Sequence, residues 1–520
     1  MLTVTDGQVG LFDAAELFGA RLREGSVFAL LREHGGRLVG DVDFAECYSG
    51  SRGRPSIPPS LLAKLMLLQH HAGLSDEGAM DAVCFDLRLK AALGLPVDHQ
   101  GFHPTTLVRF RARVLLHGKE RLVLERTLAL AVELGLVKGP VEQIVDSTPM
   151  LGAAAVQDTI ALVRTGVGKL IDAVAGEDEQ AGRELREGLG FDYEQPGRRP
   201  ECDWRSRPER DAMLTRVAQD AERALRAVEQ TPELIESEAI ADAARLLREL
   251  IGQDFEVDPD GVPRLRRQAR RGRIISAHDP DMRTGQKPKF GRFAGYKLHT
   301  AVSNGPRPLI CSVEVGDAGG YDGAHAKHLI DAQPSQLRPE RILGDSHYGD
   351  QDTRADMQQR AIEVLAPVPA PEPPPGKLSK RDFRIDLDAG TVICPAGHPA
   401  PIPARADRDG KRVIRFPAAR CNDCPLKPRC APYRGGRKLT INKREDLLRA
   451  GREALHDPEA LEHLRRSRPR IERMISMLVV QYHARRSRYR GKRKARLQAA
   501  CAAALVNLHP IGAALSEQTA

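Results

Sequence analysis

The chain has 520 residues and a formal net charge of +9, with 79 Lys and Arg residues against 70 Asp and Glu residues. This length allows several domains, and the mild basic excess suits a polyanionic partner without excluding an ordinary basic enzyme. No run of about 18 uncharged apolar residues occurs, the N-terminus lacks a signal-peptide pattern, and the nine cysteines are mostly scattered. We therefore expect a cytoplasmic protein with reduced thiols and no membrane partner.

Residues 1–135 show helical periodicity and form the first predicted domain. One helix is predicted over 76–93, and another begins near Thr105 and carries a series of arginines. Short helices with tight turns and a basic last helix resemble a helix-turn-helix reader, in which Arg109 and Arg113 share one face and contact base edges. A small helical bundle whose arginines are only solvated explains the same residues.

A strand-like run, Val141–Val145, follows a Gly139-Pro140 break and ends at Asp146. We expect Asp146 at the C-terminal tip of a buried strand, where a carboxylate is exposed while its backbone is held rigidly. A highly charged helical insertion is predicted over about 150–275. It ends in a basic run, Arg264–Arg273, that either follows phosphates or is a solvated tail.

The only tryptophan of the chain, Trp204, precedes Arg205 and Arg207 in this insertion. An aromatic ring beside cations is able to stack on an unpaired base. Because tryptophan is more often packed in a core, we favour that position for Trp204.

Strand and helix signals alternate after the insertion, with strands predicted at 293–302, 309–315 and 362–368 and helices at 324–331 and 350–360. Among them, the apolar run Arg341–Gly344 ends on Asp345, in the same way that the earlier run ends on Asp146. Asp345 therefore either serves chemistry at a strand tip or only caps the helix that follows.

The proline-rich stretch Pro367–Pro375 predicts a stiff linker into a cysteine-rich segment, residues 377–437. This segment contains four cysteines with one C-x₂-C pair and turns bearing glycine or proline: Cys394, Cys421, Cys424 and Cys430. Such spacing is typical of a tetrahedral structural zinc site, in which His398 is an alternative to one thiolate. A redox C-x-x-C pair, which no thioredoxin-like helix follows here, and metal-free packing are the other interpretations.

The C-terminal part, residues 438–520, contains an amphipathic helical pattern. Glu472 lies beside its apolar side, with Arg468 one turn earlier. Arginines are dense around this acid and continue to Arg485 and Arg488, so they would neutralise a nucleic-acid backbone where it enters the site. A solvated helical face explains each of these charges taken singly.

The two strand-tip acids and the helix acid together predict a metal site. Carboxylates brought close together repel one another and raise each other's pKa, and divalent cations relieve that cost. Asp146, Asp345 and Glu472 would supply hard oxygen ligands for one or two Mg²⁺ ions and support in-line displacement at a phosphodiester.

The predicted order of elements is strand, inserted helices, two strands, helix, strand, helix, strand and a late helix. This order resembles the ribonuclease-H-like fold. We therefore predict an α/β protein with a helical N-terminal domain, a ribonuclease-H-like catalytic core that begins at 141–376 and returns at 438–520, a helical insertion, and a small zinc-ribbon-like insertion at 377–437.

Several motifs spread over nearly the whole chain carry a family resemblance. They are Gly53-Arg-Pro-Ser-Ile-Pro-Pro-Ser60, Gly73-Leu-Ser-Asp76, Val145-Asp146-Ser-Thr148, Phe293-Ala-Gly-Tyr-Lys297, Gly344-Asp345-Ser-His-Tyr348, Cys421-x-x-Cys424-Pro-Leu, and Arg468-Pro-Arg-Ile-Glu472 with Tyr489-Arg-Gly491. With these motifs the sequence resembles the DDE transposases of bacterial insertion sequences, close to the group numbered eleven eighty-two, with an InsH-type N-terminal domain.

The resemblance implies that Asp146, Asp345 and Glu472 bind Mg²⁺ or Mn²⁺ and that Arg468 is the arginine preceding the third acid. It also implies a reaction, in which the protein nicks the ends of an element and joins the freed 3′-OH to target DNA. The partners would be terminal inverted repeats and target DNA, bound by a homodimer that is associated with the nucleoid.

Two positions depart from the family pattern, which has a tyrosine three residues before the arginine and a lysine seven residues after the glutamate. Arg465 and Val479 stand there, so we assign neither role. We expect DNA contacts from six basic side chains: Arg109, Arg113, Lys297, Arg468, Arg485 and Arg488.

Two other functions remain open on the sequence. One is a non-catalytic DNA-binding regulator derived from a transposase, in which the acids only cap helices. The other is a ribonuclease-H-like endonuclease without strand transfer.

Overall fold

The computed structural model describes residues 1–4, 12–50, 55–137, 141–194, 200–288, 290–369, 374–430 and 435–519. The Gly139-Pro140 break, Gly53-Arg54 of the first motif and the middle of the proline-rich stretch lie outside these ranges.

The N-terminal region is helical, as predicted. Its helices are α1 (Ala14–Phe18), α2 (Val27–Leu38), α3 (Pro59–Ala72), α4 (Asp76–Phe85), α5 (Leu87–Leu93), α6 (Thr105–Leu116) and α7 (Leu122–Glu133). The continuous helix predicted over 76–93 is wrong, because Asp86 adopts an extended backbone and its carboxylate accepts a hydrogen bond from the Arg88 N–H. That carboxylate caps α5 and so favours a break at this position.

The first strand of the sheet is β1 (Glu142–Leu151), and a second helical region follows it. Its elements are α8 (Thr159–Glu177), α9 (Glu179–Glu187), α10 (Arg207–Glu229), α11 (Pro232–Ile235), α12 (Glu238–Asp254), β2 (Phe255–Val257) and β3 (Pro263–Leu265). These helices enclose a separate hydrophobic core, and Trp204 packs against it while half-buried. The two ends of the region meet where the Gln157 N–H donates to the Ile275 carbonyl at 2.9 Å.

The chain then completes a mixed sheet. The remaining elements are β4 (Arg283–Lys287), β5 (Gly291–Ser303), β6 (Ile310–Asp317), α13 (Ala326–Asp331), β7 (Arg341–Leu343), α14 (Gln351–Gln358) and β8 (Glu363–Leu365). The strand order is β4-β5-β1-β7-β8, and β6 also pairs with β5. β5 is antiparallel to its neighbours, whereas β1, β7 and β8 are parallel, so the chain has a mixed α/β fold.

The cysteine-rich segment is built from short elements around a small core. They are β9 (Arg384–Asp386), β10 (Thr391–Ile393), β11 (Pro399–Pro401), β12 (Arg412–Arg415), α15 (Ala418–Asn422), α16 (Lys427–Cys430) and β13 (Lys438–Ile441).

Three helices finish the chain: α17 (Glu445–Ala454), α18 (Pro458–Ser476), which runs into a π-helical turn at Met477–Gln481, and α19 (Lys492–Thr519). α19 packs between β6 of the sheet and helices α3 and α7, so one hydrophobic core joins the N-terminal helices to the sheet. Among the described residues, one helical segment is long and apolar enough to cross a membrane: Lys492–Gln518 of α19. Since 78% of its most apolar window is buried in the protein, α19 is a core helix here.

Candidate active site

An opening along one side of β1 defines the candidate site. β7 pairs with β1 only as far as Ile144, opposite Leu343. On that side the next backbone partner comes at Leu151, whose N–H donates to the Arg485 carbonyl at 2.8 Å. Backbone groups alternate between the two sides of a strand, so the nitrogen of Pro149 faces the same opening. A proline is tolerated inside β1 because no ladder bond is lost there.

Asp146 and Asp345 meet at the start of this opening. Ile144 and Leu343 are paired on the parallel strands β1 and β7. Asp146 lies two residues beyond Ile144, and Asp345 lies two residues beyond Leu343. The placement of Asp146 at a strand tip was wrong, because β1 continues to Leu151 along β5. β1 nevertheless loses its partner β7 just before Asp146, and the carboxylate is therefore placed where the sheet opens.

The electrostatics of Asp146 reflect this placement. Its side chain is 16% exposed, and its pKa is raised to about 6, chiefly by burial. The charge of Asp345 contributes to this rise, whereas Arg468, the Ser147 N–H and Lys287 oppose it. The two carboxylates therefore repel each other when both are charged, and a bound cation would relieve that repulsion.

The alternative interpretation, in which Asp345 caps the following helix, is wrong, because Asp350 caps α14. The Asp345 carboxylate instead accepts a hydrogen bond from the His347 N–H at 2.9 Å and caps the 3₁₀ turn Ser346–Tyr348. Capping and proximity to Asp146 are both present, so capping does not exclude a second role.

The third predicted acid lies on the helix that crosses β1. From α18, Arg468 places Nη2 3.4 Å from Oδ2 of Asp146, and its Nη1 is buried without a hydrogen-bond partner. Glu472 lies one turn further along α18 and is exposed. Among the residues that the structure describes, no group of three His, Cys, Asp or Glu side chains is close enough to hold a metal ion. The structure thus joins two acids and Arg468, and leaves Glu472 at the border of the site.

A buried ion-pair network next to Asp146 was not predicted from the sequence. Ser147 Oγ donates to Asp322 at 2.6 Å, Lys287 Nζ donates to Asp322 at 2.8 Å, and Lys297 Nζ donates to it at 2.6 Å. Asp322 is 1% exposed; burial raises its pKa, but the two lysines outweigh that and hold the pKa well below its usual range. The signal used for the other acids does not select Asp322, because β6 ends at Asp317 and Asp322 lies beyond the turn that follows.

This network corrects the position expected for Lys297. Lys297 is buried on β5, and its ammonium also donates to the Gly320 carbonyl at 2.7 Å. With these partners it supports the sheet beside Asp146, and burial argues against the predicted contact with a phosphate.

The arginines of α6 divide into buried and exposed positions. Arg109 and Arg113 are exposed, and the Arg113 guanidinium lies 4.8 Å from the centre of the Tyr48 ring. Arg111 between them is buried, donates to Asp76 at 2.9 Å and lies 5.2 Å from the Tyr489 ring centre. Arg111 anchors the helix, so α6 presents the other two arginines to solvent.

Arg485 and Arg488 contact the protein itself. Arg485 Nη1 donates to Thr148 Oγ1 at 3.0 Å and to the Pro149 carbonyl at 2.7 Å, inside the opening of β1. Arg488 Nη2 donates to the carbonyl of Leu74 at the end of α3. A loss of DNA binding on changing either residue would therefore include a change in packing.

The four predicted zinc ligands face one cavity. Cys394, Cys421, Cys424 and Cys430 line a space of about 30 Å³ together with His398. Burial raises the pKa of Cys430, Arg437 lowers it, and the other three cysteines raise it through their charges. The turns predicted from glycine and proline are present, since the Gly397 N–H donates to the Cys394 carbonyl at 2.8 Å and the Lys427 N–H to the Cys424 carbonyl at 2.9 Å.

The class of protein defined so far has a mixed α/β fold with two aspartates at an opening between parallel strands. Comparison with known protein families adds to this description. Residues 393–511 match the family model described as "Transposase DDE domain", and residues 32–113 match "Transposase domain (DUF772)". These matches support a DDE transposase family and indicate a transposase. The first includes Glu472 and the part of the cysteine-rich segment that carries its four cysteines, whereas Asp146 and Asp345 lie between the two matches. No curated protein and no solved structure matches the chain.

Proposed function

We propose that this protein is the transposase of an insertion sequence, which binds the ends of its element and catalyses DNA strand cleavage and strand transfer with Mg²⁺ or Mn²⁺. The observation that carries the proposal is the meeting of Asp146 and Asp345 at the opening of β1, with Arg468 of α18 against Asp146. The strand order, with β1 central and antiparallel to β5 but parallel to β7, supports a ribonuclease-H-like core. The motifs of the chain favour the group numbered eleven eighty-two with an InsH-type N-terminal domain.

The residues present fit a divalent metal at this position. Asp146 and Asp345 would hold it, because their carboxylates already share one edge and the pKa of Asp146 is raised there. Glu472 would complete the ligand set from α18. When bound, divalent cations supply charge neutralisation and activation of the attacking oxygen and the leaving oxygen.

The chain's own groups would bind and orient the DNA strand. The Arg468 side chain is 27% exposed beside Asp146, so its guanidinium would donate to a phosphate oxygen there. The Asp322 network holds Ser147, and with it the backbone beside Asp146, in one orientation. The reaction would be hydrolytic nicking at the element ends, followed by attack of the freed 3′-OH on target DNA.

The cysteine cavity fits a structural zinc ion by the chemistry of its donors. Cys394, Cys421, Cys424 and Cys430 are soft ligands that line one small space, whereas Mg²⁺ prefers oxygen. The proposed zinc would therefore stabilise the zinc-ribbon-like segment and take no part in cleavage.

The proposed partners are terminal inverted repeats and target DNA, bound by a homodimer in the cytoplasm and at the nucleoid. We expect Arg109 and Arg113 of α6 to read a DNA groove, and their exposure supports this, since a helix is the element that enters the major groove.

The exposed position of Glu472 favours a second candidate, a DNA-binding regulator without catalysis. The experiment that separates the candidates uses the full chain, Mg²⁺, and linear DNA carrying the sequences that flank the coding region. We expect nicks with 3′-OH ends at the terminal repeats and joined products. Nicks without joining would indicate an endonuclease, and binding without nicks would indicate the regulator.

A control reaction replaces Mg²⁺ with Ca²⁺, which accepts a looser geometry. We expect binding to DNA but little turnover. Equal rates with the two ions would contradict the proposed metal chemistry.

A further inference from the structure

An exposed aromatic side chain lies next to the candidate site without a role in the mechanism above. Phe290 stands at the tip of the hairpin that joins β4 to β5 and is 42% exposed. Its ring contacts the buried Phe293 edge-on, with the ring centres 5.9 Å apart. One edge of the ring is thus fixed by packing while part of its surface remains in solvent.

The hairpin is anchored beside Asp146. Lys287, at the end of β4, donates from Nζ to Ser147 Oγ at 2.7 Å, and the Phe290 N–H donates to the Lys287 carbonyl at 3.1 Å. The position of the ring is therefore coupled to the residue that follows Asp146 in β1.

Arg485 joins the ring to the opening of β1. Its guanidinium lies 5.0 Å from the centre of the Phe290 ring while Nη1 donates to Thr148 Oγ1 at 3.0 Å. The planar guanidinium of Arg485 thus lies beside the Phe290 ring, and it bonds to β1 two and three residues after Asp146. Both groups stack on nucleobases, and the cation also attracts the phosphate backbone.

A base in a paired duplex exposes its edges in the grooves and hides its faces. A ring beside the proposed cutting site therefore finds a stacking partner only when a base has left the helix. We propose that Phe290, supported by Arg485, receives an unpaired base of the DNA strand next to the phosphate to be cut. This inference rests on the proposed function. It assigns to Phe290 the selection of a DNA end in which one base is unpaired.

The test measures DNA binding rather than cleavage. Nicking by the wild-type protein first locates the cut. The Asp146→Asn variant is then titrated, in Mg²⁺, with two DNAs that differ only in whether the nucleotide beside the cut is paired or unpaired. We expect tighter binding to the unpaired DNA, and we expect Phe290→Ala in the same background to weaken that binding at least about fivefold. Binding to the paired DNA should change less than about twofold.

Three further variants test the stacking itself. Phe290→Leu retains apolar bulk against Phe293 and Arg485 without a ring face, and it should behave as Phe290→Ala does. Phe290→Tyr should retain the preference for unpaired DNA. Phe85→Ala removes a phenylalanine that is 85% exposed at the end of α4, and it should leave the preference unchanged.

The outcomes distinguish this inference from the proposed function. If no variant binds the flanking DNA and the wild type does not cut it, the proposed function fails and the stacking role fails with it. If the wild type cuts and Asp146→Asn does not, but Phe290→Ala and Phe290→Leu keep the preference, only the stacking role is overturned. Equal losses on both DNAs would show that the ring serves packing of the hairpin.

Discussion

The two proposed metal sites are held by different kinds of structure. Asp146 and Asp345 are brought together by the register of two parallel strands within a six-stranded sheet. The cysteines of the second site stand on two short helices, α15 and α16, and on loops beside short elements, around a small core of their own. A carboxylate pair on a sheet is assembled by backbone hydrogen bonds before any metal binds, whereas short helices and loops gather thiols only as far as local packing holds them.

Arg468 adds to this difference. Its cationic side chain lies against Asp146 and lowers that acid's pKa, so the carboxylate site is partly neutralised by the protein itself. At the thiol site, Arg437 lowers the pKa of Cys430, whereas burial and the other three cysteines raise it. We therefore expect the absence of metal to stop chemistry at the first site and to loosen structure at the second.

The largest expected effect is on cleavage. Asp146→Asn, Asp345→Asn and Glu472→Gln should each lower the rate of nicking by at least about 100-fold, because each removes a charge proposed to hold the metal. Binding to the flanking DNA should remain. Rates come from nicking assays and affinities from titration. Asp350→Asn is the matched control, since Asp350 caps α14 and Asn also caps a helix. Substantial cleavage by one of the three variants would remove that residue from the proposed triad.

The next effect concerns the cysteine-rich segment. Freshly purified protein should contain about one zinc ion per chain, and Cys421→Ser with Cys424→Ser should remove it. Because the thiols stand on short helices and loops around a small core, amide hydrogen exchange should accelerate across 377–437 and not in the sheet.

The control for this prediction is Cys84→Ser with Cys202→Ser, which makes the same chemical change outside the cavity. It should leave the zinc content unchanged. Absence of zinc in the wild type, or accelerated exchange in the sheet as well, would contradict the expected difference between the two sites.

A third prediction tests the sheet beside Asp146. Asp322→Ala leaves the buried Lys297 and the half-buried Lys287 without their carboxylate, so we expect a loss of about 3–5 kcal/mol in the free energy of unfolding. Chemical denaturation measures it. Asp317→Ala, which removes an acid about half exposed at the end of β6, should cost less. Equal losses of stability in the two variants would show that the buried network stabilises the sheet no more than an exposed ion pair does.

The smallest effect concerns sequence recognition, which neither metal site supplies. Arg109→Ala and Arg113→Ala should each weaken binding to the terminal repeat by about 1–3 kcal/mol and affect random DNA less. Arg485→Ala and Arg488→Ala should weaken both DNAs alike and flatten the salt dependence. Binding across a salt series measures both pairs.

Two additional variants separate phosphate contact from packing. Arg486 and Arg490 are exposed neighbours of Arg485 and Arg488, so Arg486→Ala and Arg490→Ala should reduce the salt dependence without loss of stability. If the α6 variants lose affinity for both DNAs equally, end recognition lies elsewhere.

Much of the element order could be predicted from the sequence. The two strands predicted around 293–315 are confirmed as β5 and β6, and the helix predicted over 350–360 as α14, because apolar periodicity and capping residues are local signals. The break at Asp86 was missed, since the helical period continues across it and only the cap shows the interruption.

The sequence by itself determined the candidate chemistry, because a carboxylate after an apolar run and a set of spaced cysteines are visible in the residue order. Only the tertiary structure decided which groups meet. The pairing of β1 with β7 brings Asp146 to Asp345, and α18 places Arg468 against that pair while Glu472 remains exposed. Residues far apart in the chain, such as Lys287, Lys297 and Asp322, become partners through strand register and burial, and neither of these is encoded in local spacing.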